Sequence, residues 1–236
     1  SEFAEEFEHR LRRACERQSV GPGRVGMALS GGLDSRMICA ALPREHAPYT
    51  TYTTGYPDSL DVAAARELAS AFGMRHLHLV PEQGYMARVA PEVVWRTEGC
   101  FSFADATSLQ FHARLREELD IIVTGHAGGA LSGQTLKPGL ASWGAIEERL
   151  RRAALQTSEA ALRTLVRDEV WAREWPEARQ RFVASVAELR GGCAPRDAVI
   201  TWNMEQRQPR FTHHSGQADR YDFEIRAPFL DHDLVE

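Results

Sequence analysis

The stretch Val25-Gly26-Met27-Ala28-Leu29-Ser30-Gly31-Gly32-Leu33-Asp34-Ser35 decides the fold class of this chain. Residues 25–29 form a short apolar run bounded by glycine-rich sequence, which is typical of a buried strand. Residues 35–42 then predict a helix that ends before Pro43. A strand joined to a helix through a glycine loop predicts one unit of an α/β fold.

The next hundred residues repeat this alternation of strand and helix. Further strands are predicted over 49–54, 77–80 and 121–124, with helices over 58–73 and 103–119. Asp58 or Ser59 can cap the first of these helices, and Gly73 can end it. The alternation predicts a doubly wound, mostly parallel sheet covered on both faces. Sheets of this kind bind ligands at the carboxyl ends of their strands.

Three regions are expected along the chain. Residues 1–23 predict an amphipathic helix, because Phe7, Leu11 and Cys15 recur at helical spacing among charged residues. Residues 24–140 form the α/β domain. From 141 to 236 the pattern predicts a helical C-terminal part, with Arg- and Glu-rich helices over 146–190 and a further helix over 196–207.

Composition excludes several classes of partner. The chain has 236 residues, a net charge of −5 and four cysteines without a CxxC pair, so neither nucleic acid binding nor a zinc site is expected. No apolar run approaches the ~18 residues of a membrane span, and no secretory signal opens the chain. The expectation is a cytoplasmic protein without a membrane partner. The histidine pairs at 76/78 and 213/214 are interpreted as a strand and a polar loop rather than as metal ligands.

The glycine loop has the chemistry of a phosphate site. Gly31 and Gly32 let the backbone come close to a ligand and turn successive N–H groups into an anion-binding nest. The helix that follows adds its positive end, and Ser30 and Ser35 add hydroxyl groups. Asp34 would repel a bare diphosphate but suits a bridging Mg²⁺. The alternative is a strand-to-helix turn that uses glycine and serine for geometry alone.

These residues resemble the SGGxDS signature of the PP-loop ATP pyrophosphatases, which cleave ATP between its α and β phosphates. Three further segments are similar to the synthetase domain of asparagine synthetases: Thr53-Thr54-Gly55, Thr124-Gly125-His126-Ala127-Gly128-Gly129 and Glu224-Ile225-Arg226-Ala227-Pro228-Phe229-Leu230-Asp231. The resemblance extends over residues 24–236. It implies an adenine nucleotide alpha-hydrolase-like fold with ATP and Mg²⁺ as cofactors.

The resemblance also implies a role for individual residues. Leu29 and Thr54 would bracket the adenine, and Thr124 and Gly125 would lie against the ribose and α-phosphate. The phosphates would be held by Ser30, Gly31, Gly32 and Ser35, and the metal by Asp34. Glu224 is a candidate catalytic residue on the substrate side; the alternative is a structural partner for Arg226 or a helix end. Residues 228–230 are interpreted as packing.

The chain departs from the family at three places. Gly129 and Ala130 stand where the family has an Asp-Glu pair whose Asp is the second carboxylate on magnesium. No lysine follows the PFLD segment, and Lys137, the single lysine, is interpreted as a solvated loop cation. The chain opens with Ser1 rather than with a glutaminase domain. Nitrogen is therefore expected from a separate glutaminase or an amine donor, unless the chain is a fragment from which the glutaminase domain has been removed.

Three functions are compared on this basis. The first is an ATP-dependent amidotransferase or amide ligase, which adenylates a small-molecule or peptide carboxylate. The second, kept as the alternative, is a degenerate relative that binds nucleotide or a partner protein without turnover. The third, a tRNA-modifying PP-loop enzyme, is disfavoured by the net charge of −5 and the scattered cysteines.

Overall fold

The structure, a computed structural model, describes residues 2–46, 48–100, 107–131, 142–155, 157–208, 216 and 218–235. It divides into two compact units, one of Ser1–Gly129 with Phe211–Glu236 and the other of Ala130–Arg210. In the described ranges, every helix is too short or too polar to cross a membrane. His213, His214 and Lys137 lie outside the described residues.

The first unit contains a five-stranded parallel sheet in the order β3-β2-β1-β4-β5. Its strands are β1 (Val25–Ala28), β2 (Thr50–Thr54), β3 (Arg75–Leu79), β4 (Ile121–Val123) and β5 (Glu224–Arg226). The central strand is β1, in which Met27 pairs with Thr51 on one side and Val123 on the other. This arrangement confirms the predicted α/β doubly wound fold, because the chain crosses the sheet in both directions from β1.

Eleven α-helices are present among the described residues. They are α1 (Glu2–Gln18), α2 (Leu33–Ala41), α3 (Leu60–Ala71), α4 (Tyr85–Thr97), α5 (His112–Leu115), α6 (Gly128–Leu131), α7 (Trp143–Leu155), α8 (Glu159–Leu165), α9 (Asp168–Gly192), α10 (Pro195–Trp202) and α11 (His232–Val235). A π-helical turn, Asn203–Arg207, continues α10. Helices α7 to α10 belong to the second unit, around a core that includes Ile146, Leu150 and Trp202.

Helix α3 follows the sequence prediction closely. The Ser59 hydroxyl oxygen caps it by accepting the Val62 N–H at 3.3 Å. Gly73 follows the C-cap in the left-handed region at φ +65°, and its N–H donates to Ser70 O at 3.1 Å. Both ends are therefore fixed by local chemistry that the sequence displays.

The helices of the structure differ from the predicted ones at two places. The helix predicted over 103–119 is, in its described part, a 3-10 helix (Thr107–Phe111) followed by the one-turn α5. Helix α4 lies in a stretch to which no element is assigned from the sequence, and it contains Pro91 in its interior. The apolar side chains of Tyr85, Val89 and Val93 pack with Leu109, and this burial stabilises the helix despite the proline.

The expected C-terminal helical part also differs from the structure. Most described residues from Trp143 to Arg207 are helical, but Glu224–Arg226 form β5 and pair with β4 in the sheet of the first unit. Ile225 lies opposite Ile122 in this pairing. A strand of three residues is too short to show a period, so only the pairing reveals it.

A buried charged cluster fixes the segment that leads into β5. The two ring nitrogens of His112, which is buried, lie 2.7 Å from Asp222 Oδ2 and 2.8 Å from Asp219 Oδ1. Arg96 donates to Asp222 Oδ2 at 2.5 Å and to Ala218 O at 2.9 Å. Arg96 of α4 and His112 of α5 are thus both tied to the segment that precedes β5. His112 is also the residue at which the 3-10 helix gives way to α5.

Candidate functional site

A cavity of about 320 Å³ opens at the carboxyl ends of β1, β2 and β4. Seven of the predicted binding residues line it: Leu29, Ser30, Asp34, Ser35, Thr54, Thr124 and Gly125. Gly31 and Gly32 are not among the lining residues. Residues from three separate segments of the sequence therefore meet where a doubly wound sheet is expected to bind its ligand.

The two serine hydroxyls brace the loop from within. Ser35 Oγ is buried, and it lies 2.9 Å from Ser30 O and 3.1 Å from Gly32 O. The Ser30 N–H donates to the same hydroxyl at 3.2 Å, and the Gly32 N–H donates to Ser30 Oγ at 3.2 Å. We conclude that the serines first fix the shape of the loop, whereas the sequence suggested only donors for a ligand.

Helix α2 begins at Leu33, two residues earlier than predicted. Its N-cap is Gly32, and no side chain within the described part of the chain caps it. The first-turn N–H groups of a helix have no acceptor within the helix, and they lie at the positive end of the helix dipole. The first turn of α2, which includes Asp34 and Ser35, therefore presents unused donors beside the cavity.

The two glycine loops meet at Asp34. A Cβ placed on Gly125 would lie 3.0 Å from Asp34 Cβ, and one on Gly128 would lie 2.6 Å from Asp34 Cγ. The same Gly128 position is 2.9 Å from Cε2 of Phe229, which is 1% exposed. Only glycine fits at this close approach. The contact also confirms that Phe229 serves packing.

Asp34 itself is half-buried. Among the residues that the structure describes, its carboxylate makes no hydrogen bond and no ion pair. A carboxylate in this position is unfavourable without a compensating charge. It is therefore available to a cation that accompanies a ligand.

The predicted adenine side lies at the ends of neighbouring strands. Leu29 is 1% exposed, and its N–H donates to Tyr52 O at 2.8 Å. The Thr53 hydroxyl donates to the Leu29 carbonyl. Thr54 ends β2 and pairs with Leu79 of β3. The N–H and the carbonyl of Leu29 are thus both used by β2, and Leu29 is buried, so this wall offers mainly the Thr54 end of β2.

The loop after β4 carries backbone strain. The Thr124 N–H donates to Arg226 O at 2.8 Å, which continues the sheet by one residue. Ala127 then adopts a φ of +70°, in the left-handed region that favours glycine. Gly129 and Ala130 lie in α6, directly after Gly128. The strained turn at Ala127 directs α6 so that Gly128 contacts Asp34.

Glu224 lies away from this cavity. It is the first residue of β5 and pairs with Ile121, at the amino end of β4, whereas the cavity lies at the carboxyl ends. Arg226 Nε donates to Glu224 Oε1 at 2.8 Å, and this hydrogen bond lowers the pKa of Glu224. The structure therefore supports the alternative interpretation, a partner for Arg226. Arg226 in turn donates to the carbonyl of Gln18, the last residue of α1, at 2.9 Å.

The sequence analysis did not single out Asp61, which also lines the cavity. It lies in the first turn of α3, and its Oδ1 accepts the Gly31 N–H at 3.1 Å. Its spacing after the capping residue Ser59 was visible in the sequence, but an acidic residue in the first turn of a helix is common. Only the packing of α3 beside the glycine loop distinguishes it.

The residues present fit a magnesium–nucleotide complex. Among the described residues, no group of three or more His, Cys, Asp or Glu side chains could hold a metal ion by itself. The cavity supplies two carboxylates, from Asp34 and Asp61. Mg²⁺ commonly binds through one or two carboxylates together with substrate phosphates and waters. The donor set is therefore that of a metal brought by a phosphate ligand.

The parallel sheet and the glycine loop at the end of β1 together define a doubly wound α/β domain with a cavity at the carboxyl ends of its strands. The family model described as asparagine synthase matches residues 6–236, and the chain belongs to that family.

Similar proteins agree with this assignment. The chain is 32% identical over 114 residues to the "Putative asparagine synthetase [glutamine-hydrolyzing]" of Mycobacterium tuberculosis, covering 46% of this chain and 17% of that protein. It is 31% identical over 91 residues to the "Asparagine synthetase [glutamine-hydrolyzing]" of Bos taurus, covering 36% of this chain and 16% of that protein. The chain thus spans less than a fifth of each of these relatives.

Proposed function

We propose that this chain is the synthetase part of an ATP-dependent amide ligase that activates a carboxylate by adenylation. The observation that carries the proposal is the convergence of two glycine loops on the carboxylate of Asp34, beside the uncapped start of α2. Membership of the asparagine synthase family supports an ATP-dependent amide ligase as the kind of function.

The proposed reaction has two steps. A carboxylate oxygen of the substrate bonds to the α-phosphorus of ATP, the bond from that phosphorus to the bridging oxygen of the β-phosphate breaks, and pyrophosphate leaves. A nitrogen nucleophile then attacks the acyl carbon, forms the amide, loses a proton and displaces AMP. The first-turn N–H groups of α2 would hold the leaving diphosphate. Asp34 would hold Mg²⁺, which offsets the charge on the phosphates when bound.

The proposal includes the class of substrate. The acceptor is a small-molecule or peptide carboxylate, and the nitrogen comes from an amine or from a glutaminase, as the glutamine-hydrolysing relatives suggest by their names. The proposed location of the protein is the cytoplasm, where ATP and Mg²⁺ are available.

The test is carboxylate-dependent exchange of labelled pyrophosphate into ATP. This exchange reports the first step alone and needs no nitrogen donor. We expect a panel of amino acids and short peptides to contain an acid that supports exchange. We expect Asp34→Asn to abolish it, while Asp58→Asn, which removes an exposed carboxylate outside the cavity, leaves it unchanged. Exchange that survives in Asp34→Asn would refute the assigned role of Asp34.

A second candidate function is nucleotide binding without turnover. It is favoured by Gly129 and Ala130, which stand where the family has an acidic pair. It predicts Mg²⁺-dependent ATP binding with neither exchange nor AMP formation for any acid in the panel. Gly129→Asp would then be expected to increase the affinity for ATP in the presence of Mg²⁺. No gain would argue that the missing carboxylate is not the reason for the lost turnover.

A further inference from the structure

Asp61 makes direct contact with the phosphate loop. Its Oδ1 accepts the Gly31 N–H at 3.1 Å, and a Cβ placed on Gly31 would lie 3.0 Å from the same oxygen. That Cβ would also lie 3.2 Å from Ala64 Cβ, so the first turns of α3 pack directly on the loop. An amide that could serve a phosphate oxygen is therefore held by a carboxylate of the protein itself.

The charge of the cavity is the second observation. Asp34 and Asp61 are the charged residues that line it, and no Lys, Arg or His belongs to the described lining. Asp61 is exposed, and within the described ranges its Oδ2 makes no hydrogen bond. A cavity with two carboxylates repels a bare polyphosphate. The same carboxylates attract that polyphosphate once a divalent cation accompanies it.

We propose that Asp61 is the second acidic group of the site and makes nucleotide binding depend on Mg²⁺. Without metal, its carboxylate keeps the Gly31 N–H and repels the phosphates. With Mg²⁺, it faces the metal–phosphate complex and supplies, from the start of α3, the negative charge that the loop after β4 lacks at Gly129. The proposal rests on the proposed function, because it concerns ATP at the same cavity.

A purely structural role for Asp61 is the competing explanation. In that case its hydrogen bond only holds Gly31 against α3, and its charge has no effect on the binding of ATP. Asparagine has nearly the same size as aspartate, and its side-chain oxygen can still accept the Gly31 N–H. The variant Asp61→Asn therefore removes the charge while keeping the hydrogen bond to Gly31. The two explanations predict different effects of this variant on the metal dependence of binding.

The experiment measures the dissociation constant of ATP by calorimetry in excess Mg²⁺ and in EDTA. The quantity compared is the ratio of the constant in EDTA to that in Mg²⁺. We expect Asp61→Asn to reduce this ratio at least tenfold, and the control Asp58→Asn to keep the wild-type ratio. Binding of Mn²⁺ to the ATP-loaded protein, followed by electron paramagnetic resonance, should weaken in Asp61→Asn in parallel. An unchanged ratio in Asp61→Asn would overturn the proposal.

A measurement on the unaltered chain keeps the proposal testable if the variant does not fold. Repulsion between two carboxylates and metal-free ATP is screened by salt. We therefore expect the affinity for ATP in EDTA to rise as NaCl increases. An affinity that falls with salt would indicate net attraction and contradict the proposal. If the unaltered chain binds ATP neither in Mg²⁺ nor in EDTA, the proposed function itself fails. If the chain binds ATP but Asp61→Asn leaves the ratio of the two dissociation constants unchanged, only the role of Asp61 is refuted.

Discussion

Replacing Gly128 by alanine tests the meeting point of the two glycine loops. The new Cβ would lie 2.6 Å from Asp34 Cγ and 2.9 Å from Phe229 Cε2. Carbon atoms in contact are normally about 3.5–4.0 Å apart, so one group must move by roughly 1 Å. Overpacking of this kind costs about 1–3 kcal/mol. Phe229 is buried, so we expect Asp34 to be displaced toward the cavity.

Two measurements follow from this displacement. Chemical denaturation should show a loss of about 1–3 kcal/mol in the free energy of unfolding of Gly128→Ala. Binding of ATP in Mg²⁺ should weaken by as much as ~100-fold, since a shift of 1 Å at a positioned group can have that effect. Because the metal contact is what changes, binding in EDTA should change much less.

The control is Gly144→Ala. Gly144 lies in α7, and a Cβ there would meet no atom within 4 Å. Alanine is favoured over glycine inside a helix by up to about 1 kcal/mol, so this variant should be as stable as the wild type or slightly more stable. If Gly128→Ala has the stability and the Mg²⁺-dependent affinity of the wild type, the tight contact of Asp34 with the second loop does not position the metal ligand.

Three further predictions address other features of the first unit. Ala127→Gly should change the free energy of unfolding by no more than about 0.5 kcal/mol, because relief of the left-handed strain offsets the flexibility of glycine. As the control, alanine to glycine at a buried position of α3 should lower the free energy of unfolding, measured by chemical denaturation, by at least about 1 kcal/mol. Burial raises the pKa of Asp222, but Arg96 and the neighbouring imidazole outweigh it, so the net pKa is lowered; its stabilisation is present above about pH 4 and is lost as the pH falls through the lowered pKa. Asp222→Asn should therefore cost about 2–4 kcal/mol at pH 7 and flatten the acid side of the stability curve, and a cost equal at pH 7 and pH 3 would contradict this. Burial raises the pKa of the Cys15 thiol to about 12, whereas Cys100 is exposed; mass spectrometry after alkylation at pH 8 should find Cys100 modified first, and equal labelling of the folded chain would contradict the burial.

The parts of the site that the sequence predicts are those built within a few residues. The strand before Ser30, the glycine pair and the helix carrying Asp34 are contiguous, so strand burial and loop geometry act on neighbouring residues. Ser59 as the cap of α3 is local in the same sense. The structure places these elements within two residues of the prediction at their starts.

The parts that the sequence does not predict depend on long-range contacts. The Gly31 bond to Asp61 joins residues 30 positions apart, and the carboxylates that His112 contacts lie more than 100 positions further along the chain. Glu224 is a clear case, because it follows a motif yet lies at the opposite end of its strand from the cavity. A pattern of neighbouring residues carries no information about contacts between residues so far apart in the sequence.

The sequence by itself determined the class of fold and the place of the glycine loop that we propose as the phosphate site, because alternating strands and helices, a glycine pair and one carboxylate act through neighbouring residues. Only the tertiary structure decided which carboxylates share the cavity, which serine hydroxyls form hydrogen bonds within the loop, and at which end of β5 Glu224 lies. The physical reason is that parallel pairing and helix packing bring distant segments together, and these contacts determine where each charge lies.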